Sequence, residues 1–309
     1  MRRNEAVGPF GSGRLMQPVI ENATVGSIAT FPARFKTIEK VVANIAPQVD
    51  WLFIYVNETM KGWPNLKSHK NITVLDGREY AGDLSANGKI FSLRFVKNCK
   101  IFIFDDDFIY PADYVEKNLN ILNLFDGHCV VSTHGSNFPS KVDWYYDRTK
   151  IMMSKRATDF LNLCSLAGSG TICFDQRHLP VNPEEFLDRV WVDLKISLIA
   201  RKNGLPIWVL PRSANWLQHI PMVGLYDQMS SRMTHHTEYA RDVDWSFAIY
   251  RDIANSALKR VCLPVEALQL SQELTMALKT GNVPRDWLNG ALSMKRRADY
   301  CKMLLKREI

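Results

Sequence analysis

Four large apolar residues at positions 101–104 run directly into three aspartates, Asp105, Asp106 and Asp107. An apolar run of this kind predicts a strand buried on both faces, as found in parallel sheets. Parallel sheets bind ligands at the carboxyl ends of their strands. Because residues two apart in an extended chain point the same way, Asp105 and Asp107 are expected to hold a divalent cation, which can in turn hold a pyrophosphate. Without a cation, three clustered carboxylates would repel one another.

Strand and helix patterns alternate through the first 135 residues. Strands are predicted at 25–30, 50–56, 72–75, 100–104 and 128–133, and helices at 35–45, 85–96 and 114–124. This alternation favours an α/β domain with a largely parallel sheet. Farther along, the patterns predict a strand after Gly170, one or two helices at 183–203 ending at Gly204, a strand at 205–210, loops at 214–245 and helix from 246 onward. We therefore expect a flexible tail at 1–20, an α/β domain at 21–245 and a helical region at 246–309.

Composition limits the classes of protein that the chain can belong to. The 309 residues are 46% hydrophobic, which is enough for a sizeable core, and no apolar stretch reaches the length of a membrane span. The amino-terminal residues lack the apolar region of a secretory signal. The six cysteines include no CxxC pair, and Cys99, Cys129 and Cys173 lie in or beside apolar runs. This pattern favours buried thiols in a reducing cytosol, with neither a zinc site nor a disulfide framework.

The formal net charge is +7, and basic residues are concentrated after position 294. A basic, partly amphipathic segment of this kind binds anionic membrane surfaces, but a solvated helix face has the same composition, and both alternatives stay open. Nucleic acid is not an expected partner, because the chain has no recognisable nucleic-acid motif and its basic residues are not interleaved with aromatic ones.

Four segments in order carry a resemblance to a known family. They are SIATFPAR at 27–34, GDLSANGK at 82–89, the three aspartates at 105–107, and Asp193 opening a predicted helix that closes on Gly204. Over about residues 24–215, these segments resemble the GT-A fold of nucleotide-sugar glycosyltransferases, in particular the family 2-like bacterial enzymes that build surface polysaccharide. The chain departs from the family pattern at Val192, where an acidic residue usually precedes the catalytic one.

The resemblance implies a Rossmann-like α/β fold and a role for each matching residue. It places the nucleotide sugar against Thr30, Pro32, Arg34, Asp83, Lys89, Asp105 and Asp106. It gives the metal, Mn²⁺ or Mg²⁺, to Asp107 with Asp105, and some relatives add a histidine from a carboxyl-terminal loop. His219, His235 and His236 are the candidates for that histidine, and we take His235 as the expected ligand. Asp76 is an alternative to Asp83 for contact with the uracil or ribose.

Asp193 is the expected catalytic base. An acceptor hydroxyl must lose its proton as it attacks, and a carboxylate in the first turn of a helix is kept ionised by the helix dipole. Acidic residues are also common in first helical turns for purely structural reasons. Asp188 is the alternative base. Close approach of the backbone at 168–170 to a sugar, and stacking of a sugar on Trp191, Trp208 or Trp216, are further expectations, against the alternatives of a plain turn and of core packing.

Together these features predict a metal-dependent inverting transferase that moves a sugar from a UDP-sugar to a hydroxyl of a glycan of the lipopolysaccharide or capsule type. The expected location is the cytoplasm, with peripheral contact at the inner face of the membrane. One alternative is a sugar-phosphate nucleotidyltransferase, but such enzymes carry a Gly-rich basic loop where this chain reads Thr30-Phe31-Pro32. The other is a non-catalytic glycan-binding protein with a transferase-like fold.

Overall fold

The computed structural model describes residues 19–66, 69–158, 161–188, 191–221 and 234–246 and a two-residue strand at 282–283. The strands are β1 Ile20–Glu21, β2 Thr24–Thr30, β3 Trp51–Val56, β4 Ile72–Asp76, β5 Val96–Lys97, β6 Lys100–Phe104, β7 Phe108–Ile109, β8 Val130–Ser132, β9 Gly135–Asn137, β10 Lys150–Met152, β11 Leu161–Cys164, β12 Leu166–Ala167, β13 Thr171–Asp175, β14 Ile207–Val209, β15 Gln218–His219 and β16 Asn282–Val283. The α-helices are α1 Phe35–Ile45, α2 Gly88–Phe91, α3 Tyr114–Leu124, α4 Val192–Lys202 and α5 Thr234–Arg241. Short 3-10 helices are Pro32–Arg34, Ala46–Gln48, Gly77–Glu79, Ser85–Asn87, Ser92–Phe95 and Pro183–Phe186.

A nine-stranded sheet forms the centre of the fold, in the order β16-β11-β14-β8-β13-β6-β2-β3-β4. The four strands from β6 to β4 are parallel to one another. Strand β13 is antiparallel to both of its neighbours, and β14 is parallel to β8. Since β11 is antiparallel to β14 and β16, seven of the nine strands share one direction. The predicted α/β fold with a mostly parallel central sheet is confirmed.

Side chains that alternate along the central strands fill two apolar layers. Phe102 and Phe104 of β6 belong to the layer that includes α1 and α3. Ile101 and Ile103 belong to the opposite layer, with residues of α2 and α4. Every residue of β6 after the first is buried, which explains why its sequence is continuously apolar rather than alternating.

Helix α1 follows directly from its apolar spacing. Its buried residues are Phe35, Ile38, Val41, Val42 and Ile45, which repeat at intervals of three and four and so lie on one face. The helix covers the sheet with that face and continues into a 3-10 turn at Ala46–Gln48, which contains a proline. The predicted bounds of α1 and of α3 are confirmed.

Three predicted elements differ in the structure. The single helix expected at 85–96 is a short α2 between two 3-10 turns, and Gly88 packs so closely on Tyr55 that an added Cβ would lie 2.5 Å from its ring. Residues 214–245, predicted as loops, contain α5, a polar helix whose buried residues His236, Thr237 and Ala240 have helical spacing. The region predicted as helical from 246 contains β16, which pairs with β11.

Most of the expected tail at 1–20 and most of the expected helical region at 246–309 lie outside the described residues, so the division into three domains stays a prediction. In the part of the chain that the structure describes, no helix has the length and apolar character needed to cross a membrane. Cys99, Cys129, Cys164 and Cys173 are buried free thiols, as predicted for the three that the sequence singled out.

Candidate active site

The ends of two adjacent parallel strands bring the first site residues together. In the register of β2 and β6, Ile28 lies opposite Phe104, so the residues that follow each strand meet at the same edge. Thr30 Oγ1 donates a hydrogen bond of 2.7 Å to Asp106 Oδ2. Burial raises the pKa of Asp106 to about 6, while the hydrogen bond from Thr30 and the charge of Arg34 oppose that rise. Asp106 is thus the buried residue of the three aspartates, and its hydrogen bond with Thr30 links the ends of the two strands.

Asp107 faces an arginine and a histidine. Arg34 Nη1 lies 3.3 Å from Asp107 Oδ2, and its side chain is almost fully buried. His219 Nε2 lies 3.5 Å from the same oxygen. The pairing of β15 with β7 sets His219 opposite Phe108, which explains its position next to Asp107. Burial and the neighbouring charge of Asp105 raise the pKa of Asp107, and Arg34, His219 and Lys89 oppose the rise.

Asp105 is held by Lys89 through its carboxylate and by the Tyr110 hydroxyl through its backbone N–H. Lys89 Nζ donates to Asp105 Oδ1, and the lysine side chain is only 4% exposed. The Asp105 backbone N–H donates to Tyr110 Oη (2.8 Å), and that hydroxyl donates to the carbonyl of Gly170 (2.6 Å). An added Cβ at Gly170 would lie 2.0 Å from Asp105 Oδ2. The glycine-containing segment therefore approaches Asp105 itself.

The aspartates do not share one extended segment. Strand β6 ends at Phe104, and Asp106 and Asp107 form a turn before β7. The extended-chain argument for a common side of Asp105 and Asp107 is therefore wrong, because the backbone leaves the strand between them. The turn nevertheless keeps the two carboxylates close enough for the charge of Asp105 to raise the pKa of Asp107.

The aspartates offer a small set of oxygen donors for a divalent cation. In the described ranges, no group of three or more His, Cys, Asp or Glu side chains is arranged to hold a metal ion. Mg²⁺ sites commonly use one or two carboxylates together with substrate phosphates, and carboxylate oxygens also suit Mn²⁺. Asp105 and Asp107 supply that smaller donor set, and a cation between them would reduce their mutual repulsion. The residues therefore fit a metal that binds with a diphosphate.

Asp193 lies in the first turn of α4. Its Oδ1 accepts a hydrogen bond of 2.9 Å from the backbone N–H of Leu194, and its carbonyl accepts one of 2.6 Å from Ser197 Oγ. Burial raises the pKa of Asp193 to about 6, while the charges of Arg148 and Lys89 oppose the rise. A carboxyl group with this pKa is ionised at neutral pH and can still take up a proton, as a general base must.

Sequence reasoning missed Tyr145 and Arg148, which border Asp193. Burial raises the pKa of the Tyr145 hydroxyl well above its usual value, and the charge of Asp193 adds to the effect. The Arg148 guanidinium lies 4.1 Å from the centre of the Phe138 ring and 4.9 Å from that of Tyr145. Its Nε donates 2.8 Å to Ser136 Oγ. The signal in the sequence was weak, because aromatic and basic residues at 144–148 are typical of many loops.

His134 is a third residue that the sequence did not single out. An added Cβ at Gly168 would lie 2.7 Å from the His134 side chain, and His134 Nδ1 accepts from the backbone N–H of Ser154 (3.3 Å). Burial lowers the pKa of His134 to about 4, against the opposing charge of Asp105. The ring is therefore neutral at physiological pH. Gly168 and Gly170 thus pack against His134 and Asp105, respectively.

The remaining predicted site residues have their own contacts outside the aspartate cluster. Pro32 begins the 3-10 turn that leads to Arg34. Asp83 is exposed and its Oδ1 accepts from the Ser85 backbone N–H (2.8 Å), while Asp76 caps a 3-10 helix and pairs with Arg78. Contact of either residue with a nucleotide stays a prediction. Asp188, the alternative base, forms an ion pair of 2.6 Å with Lys195.

The structure places His219 beside Asp107, whereas metal ligation by His235 stays a prediction. His235 lies on α5, its side chain is exposed, and its Nδ1 is 3.4 Å from Glu238 Oε2. His236 is buried, and its Nε2 accepts from the backbone N–H of Trp191 (3.1 Å). A short strand pairing, rather than any feature of the loop sequence, brings His219 to Asp107.

The tryptophans have structural contacts. Trp208 is buried and stacks on Phe125, with ring centres 5.4 Å apart. Trp216 stacks on Tyr114 at 5.4 Å, and its Nε1 donates 2.9 Å to Asp113 Oδ1. Trp191, the residue before α4, is half-buried and contacts the rings of Tyr145 and His236. Of these three tryptophans, Trp191 is the nearest to Asp193 along the chain, and it contacts Tyr145, whose pKa the charge of Asp193 raises.

Comparison with known proteins gives a fold-level similarity. No protein-family model matches the chain, and no curated protein matches it. A solved structure of a candidate glucose-1-phosphate thymidylyltransferase from Bacillus anthracis, in complex with a sucrose, is similar at 15% sequence identity and a TM-score of 0.39. The match covers 72% of this chain and 96% of that one. A similarity of this size carries no information on activity.

Proposed function

We propose that the protein is a glycosyltransferase that moves a sugar from a nucleotide-diphosphate donor, a UDP-sugar, to a hydroxyl group of a glycan. The observation that carries the proposal is the position of Lys89. Its ammonium group pairs with Asp105 in the aspartate cluster, and its charge also lowers the pKa of Asp193. A single buried cation thus acts on both the expected donor site and the expected base.

The donor site would consist of the cluster at the ends of β2 and β6. Thr30, Arg34 and Lys89 contact the three aspartates, and the two buried cations supply positive charge for a diphosphate. Asp105 and Asp107 would hold Mn²⁺ or Mg²⁺, with His219 beside Asp107. When bound, such a cation supplies Lewis-acid stabilisation of the departing diphosphate. Pro32 and Asp83 border this region in the chain and are retained as proposed nucleotide contacts.

The proposed reaction assigns the proton to Asp193. The acceptor hydroxyl oxygen forms a bond to the anomeric carbon of the donor as its proton passes to the Asp193 carboxylate. The bond between that carbon and the diphosphate oxygen breaks, and the electron pair leaves with the nucleoside diphosphate. Arg34 and Lys89 stabilise the negative charge that develops there. Attack opposite to the leaving group inverts the configuration, in agreement with the family resemblance.

The decisive experiment is isothermal titration of the protein with UDP, with and without Mn²⁺. The Asp105→Ala/Asp107→Ala variant removes the proposed metal ligands, and Asp143→Ala/Asp242→Ala removes two exposed acidic residues as a charge-matched control. Metal-dependent binding by the wild type and the control, lost in the first variant, supports the donor site. Binding that is absent in the wild type, or equal in all three proteins, contradicts it.

A positive result is followed by a product assay. UDP-sugars are incubated with lipopolysaccharide-type and capsule-type glycans, and release of UDP is measured with and without acceptor. A nucleotidyltransferase would instead release pyrophosphate when it is supplied with UTP and a sugar 1-phosphate. A non-catalytic glycan-binding protein would release neither UDP nor pyrophosphate. Flotation with anionic vesicles tests the separate expectation of membrane contact through the basic carboxyl-terminal segment.

A further inference from the structure

A concave region of the surface shares no lining residue with the aspartate cluster. It has a volume of about 300 Å³ and lies beside β10 and β11. The lining residues are Lys150, Ile151, Met152, Met153, Arg156, Ala157, Thr158, Asn162 and Arg212. This volume is at the lower end of those of small-molecule sites, and the mixture of apolar walls with a few polar groups is typical of such sites.

The charge of this pocket is uniformly positive among its described lining residues. Lys150, Arg156 and Arg212 are cationic, and none of the nine is acidic. Lys150 and Arg156 are exposed, whereas Arg212 is 2% exposed. The pocket therefore has a buried guanidinium in its wall and two exposed cations.

Arg212 is fixed by neutral partners. Its Nε donates to the carbonyl of Ser154 (3.0 Å), Nη1 to that of Leu210 (3.1 Å) and Nη2 to that of Met153 (2.5 Å). Carbonyl groups orient a guanidinium, but they do not neutralise its charge. Burial lowers the pKa of Arg212 to about 10, so the group remains a cation at neutral pH. A buried charge of this kind favours a bound counter-ion.

Lys150 is also held by a neutral group. Its Nζ donates 2.8 Å to Asn162 Oδ1, and Asn162 Nδ2 donates 2.9 Å to Thr158 Oγ1. This chain fixes the amide so that its oxygen faces the ammonium. The lysine is thus directed toward the pocket without a carboxylate partner among the described residues.

We propose that this pocket binds a small organic anion, whose phosphate or carboxylate group is neutralised by Arg212, Lys150 and Arg156. The apolar side chains of Met152, Met153 and Ala157 would then contact the carbon body of the ligand. The proposal concerns a site separate from the donor site and does not rest on the proposed function.

The test is isothermal titration with glucose 1-phosphate and, separately, with glucuronate, using glucose as the neutral control. These ligands distinguish a phosphate from a carboxylate on a similar sugar body. The variant is Lys150→Ala/Arg156→Ala, which leaves the structural contacts of Arg212 in place. The matched control is Lys155→Ala/Lys202→Ala, which removes two cations from exposed residues that do not line the pocket.

We expect saturable binding of at least one anion and none of glucose, a loss of about tenfold or more in the pocket variant, and less than about threefold in the control. Absence of saturable binding of both anions, or equal losses in the two variants, would overturn the proposal. Titration of the pocket variant with UDP and Mn²⁺ separates the two sites. If the pocket variant binds UDP as the wild type does, the donor site is unaffected by the substitutions. If the wild type itself does not bind UDP, only the proposed function is contradicted.

Discussion

Lys89 and Asp105 form a partly buried ion pair between α2 and the end of β6, across 16 positions of sequence. The lysine ammonium also lies close enough to Asp193 for its charge to lower the pKa of that carboxyl group. The charge of Lys89 therefore acts both on a carboxylate at the carboxyl end of the sheet and on a carboxylate in the first turn of α4.

Replacing Lys89 tests whether its charge contributes to the proposed donor site. Lys89→Met keeps most of the buried side-chain volume and removes the charge, so Asp105 loses its cationic partner. We expect UDP affinity in the presence of Mn²⁺ to fall about tenfold or more, since a charge-assisted contact is lost. Lys97→Met, at an exposed lysine paired with Glu21, should leave the affinity unchanged. Equal affinity in the wild type and both variants would contradict a role of Lys89 in the donor site.

The proposed base is tested by Asp193→Asn. The amide keeps the shape of the side chain but cannot take up a proton, so transfer should fall by about 10² to 10⁴ fold. UDP binding should remain within about twofold, because the aspartate cluster is untouched. Transfer in the wild type should decrease below a pH of about 6 as Asp193 becomes protonated. A variant that retains full transfer activity would exclude Asp193 as the base and direct attention to Asp188.

The same substitution should increase stability at neutral pH. The pKa of Asp193 is about 6 in the folded protein and 3.8 in an unperturbed group, so the folded state binds more protons between these values. The free energy of unfolding therefore decreases as pH rises through this window, and above it the ionised carboxylate is a cost. Asp193→Asn should raise that free energy by about 1–3 kcal/mol at pH 8.

Urea denaturation at pH 8 and near pH 4 measures this effect. The gain of Asp193→Asn should shrink as pH falls, because the wild-type carboxyl group is then neutral as well. Asp188→Asn is the control, since its carboxylate is paired with Lys195 and its loss should bring no stabilisation at pH 8. A gain that is independent of pH would mean that ionisation of Asp193 is not its cause.

The surroundings of His219 and of His235, the expected metal ligand, differ in the structure. His219 Nε2 lies 3.5 Å from Asp107, whereas His235 is exposed and contacts Glu238. We expect His219→Ala to weaken metal-dependent UDP binding about three- to tenfold, and His235→Ala to have no effect. Titrations of both variants at one Mn²⁺ concentration decide this. A larger loss in His235→Ala would restore the original assignment.

Gly170 tests the close approach to Asp105. An alanine there would place its Cβ 2.0 Å from Asp105 Oδ2, so the carboxylate or the strand must move. Gly170→Ala should therefore reduce UDP binding strongly, with a loss of stability of about 1–3 kcal/mol from overpacking. Ser169→Ala changes the neighbouring residue without filling that space and should behave as the wild type. Normal UDP binding by a folded Gly170→Ala protein would show that Asp105 can move without consequence.

Local sequence patterns predicted most of the central fold and the position of the aspartates after a buried strand. The continuous apolar run before Asp105 indicated a strand buried on both faces, and the spacing of buried residues in α1 gave its bounds. Because parallel strands end at the same edge, Thr30 and the aspartates could be expected to meet. The sequence also singled out Lys89 and Arg34 as expected contacts of the nucleotide, and in the structure they pair with Asp105 and Asp107.

The remaining features depend on contacts between residues far apart in the chain, and no local pattern encodes them. A two-residue strand pairing brings His219, rather than His235, to Asp107. Packing on Tyr55 accompanies the division of the predicted helix at 85–96 into shorter turns. By itself, the sequence determined that acidic groups follow a buried strand. Only the tertiary structure decided which cations lie beside these acidic groups and how burial raises the pKa of Asp193. The reason is that desolvation and charge pairing depend on distance in space rather than along the chain.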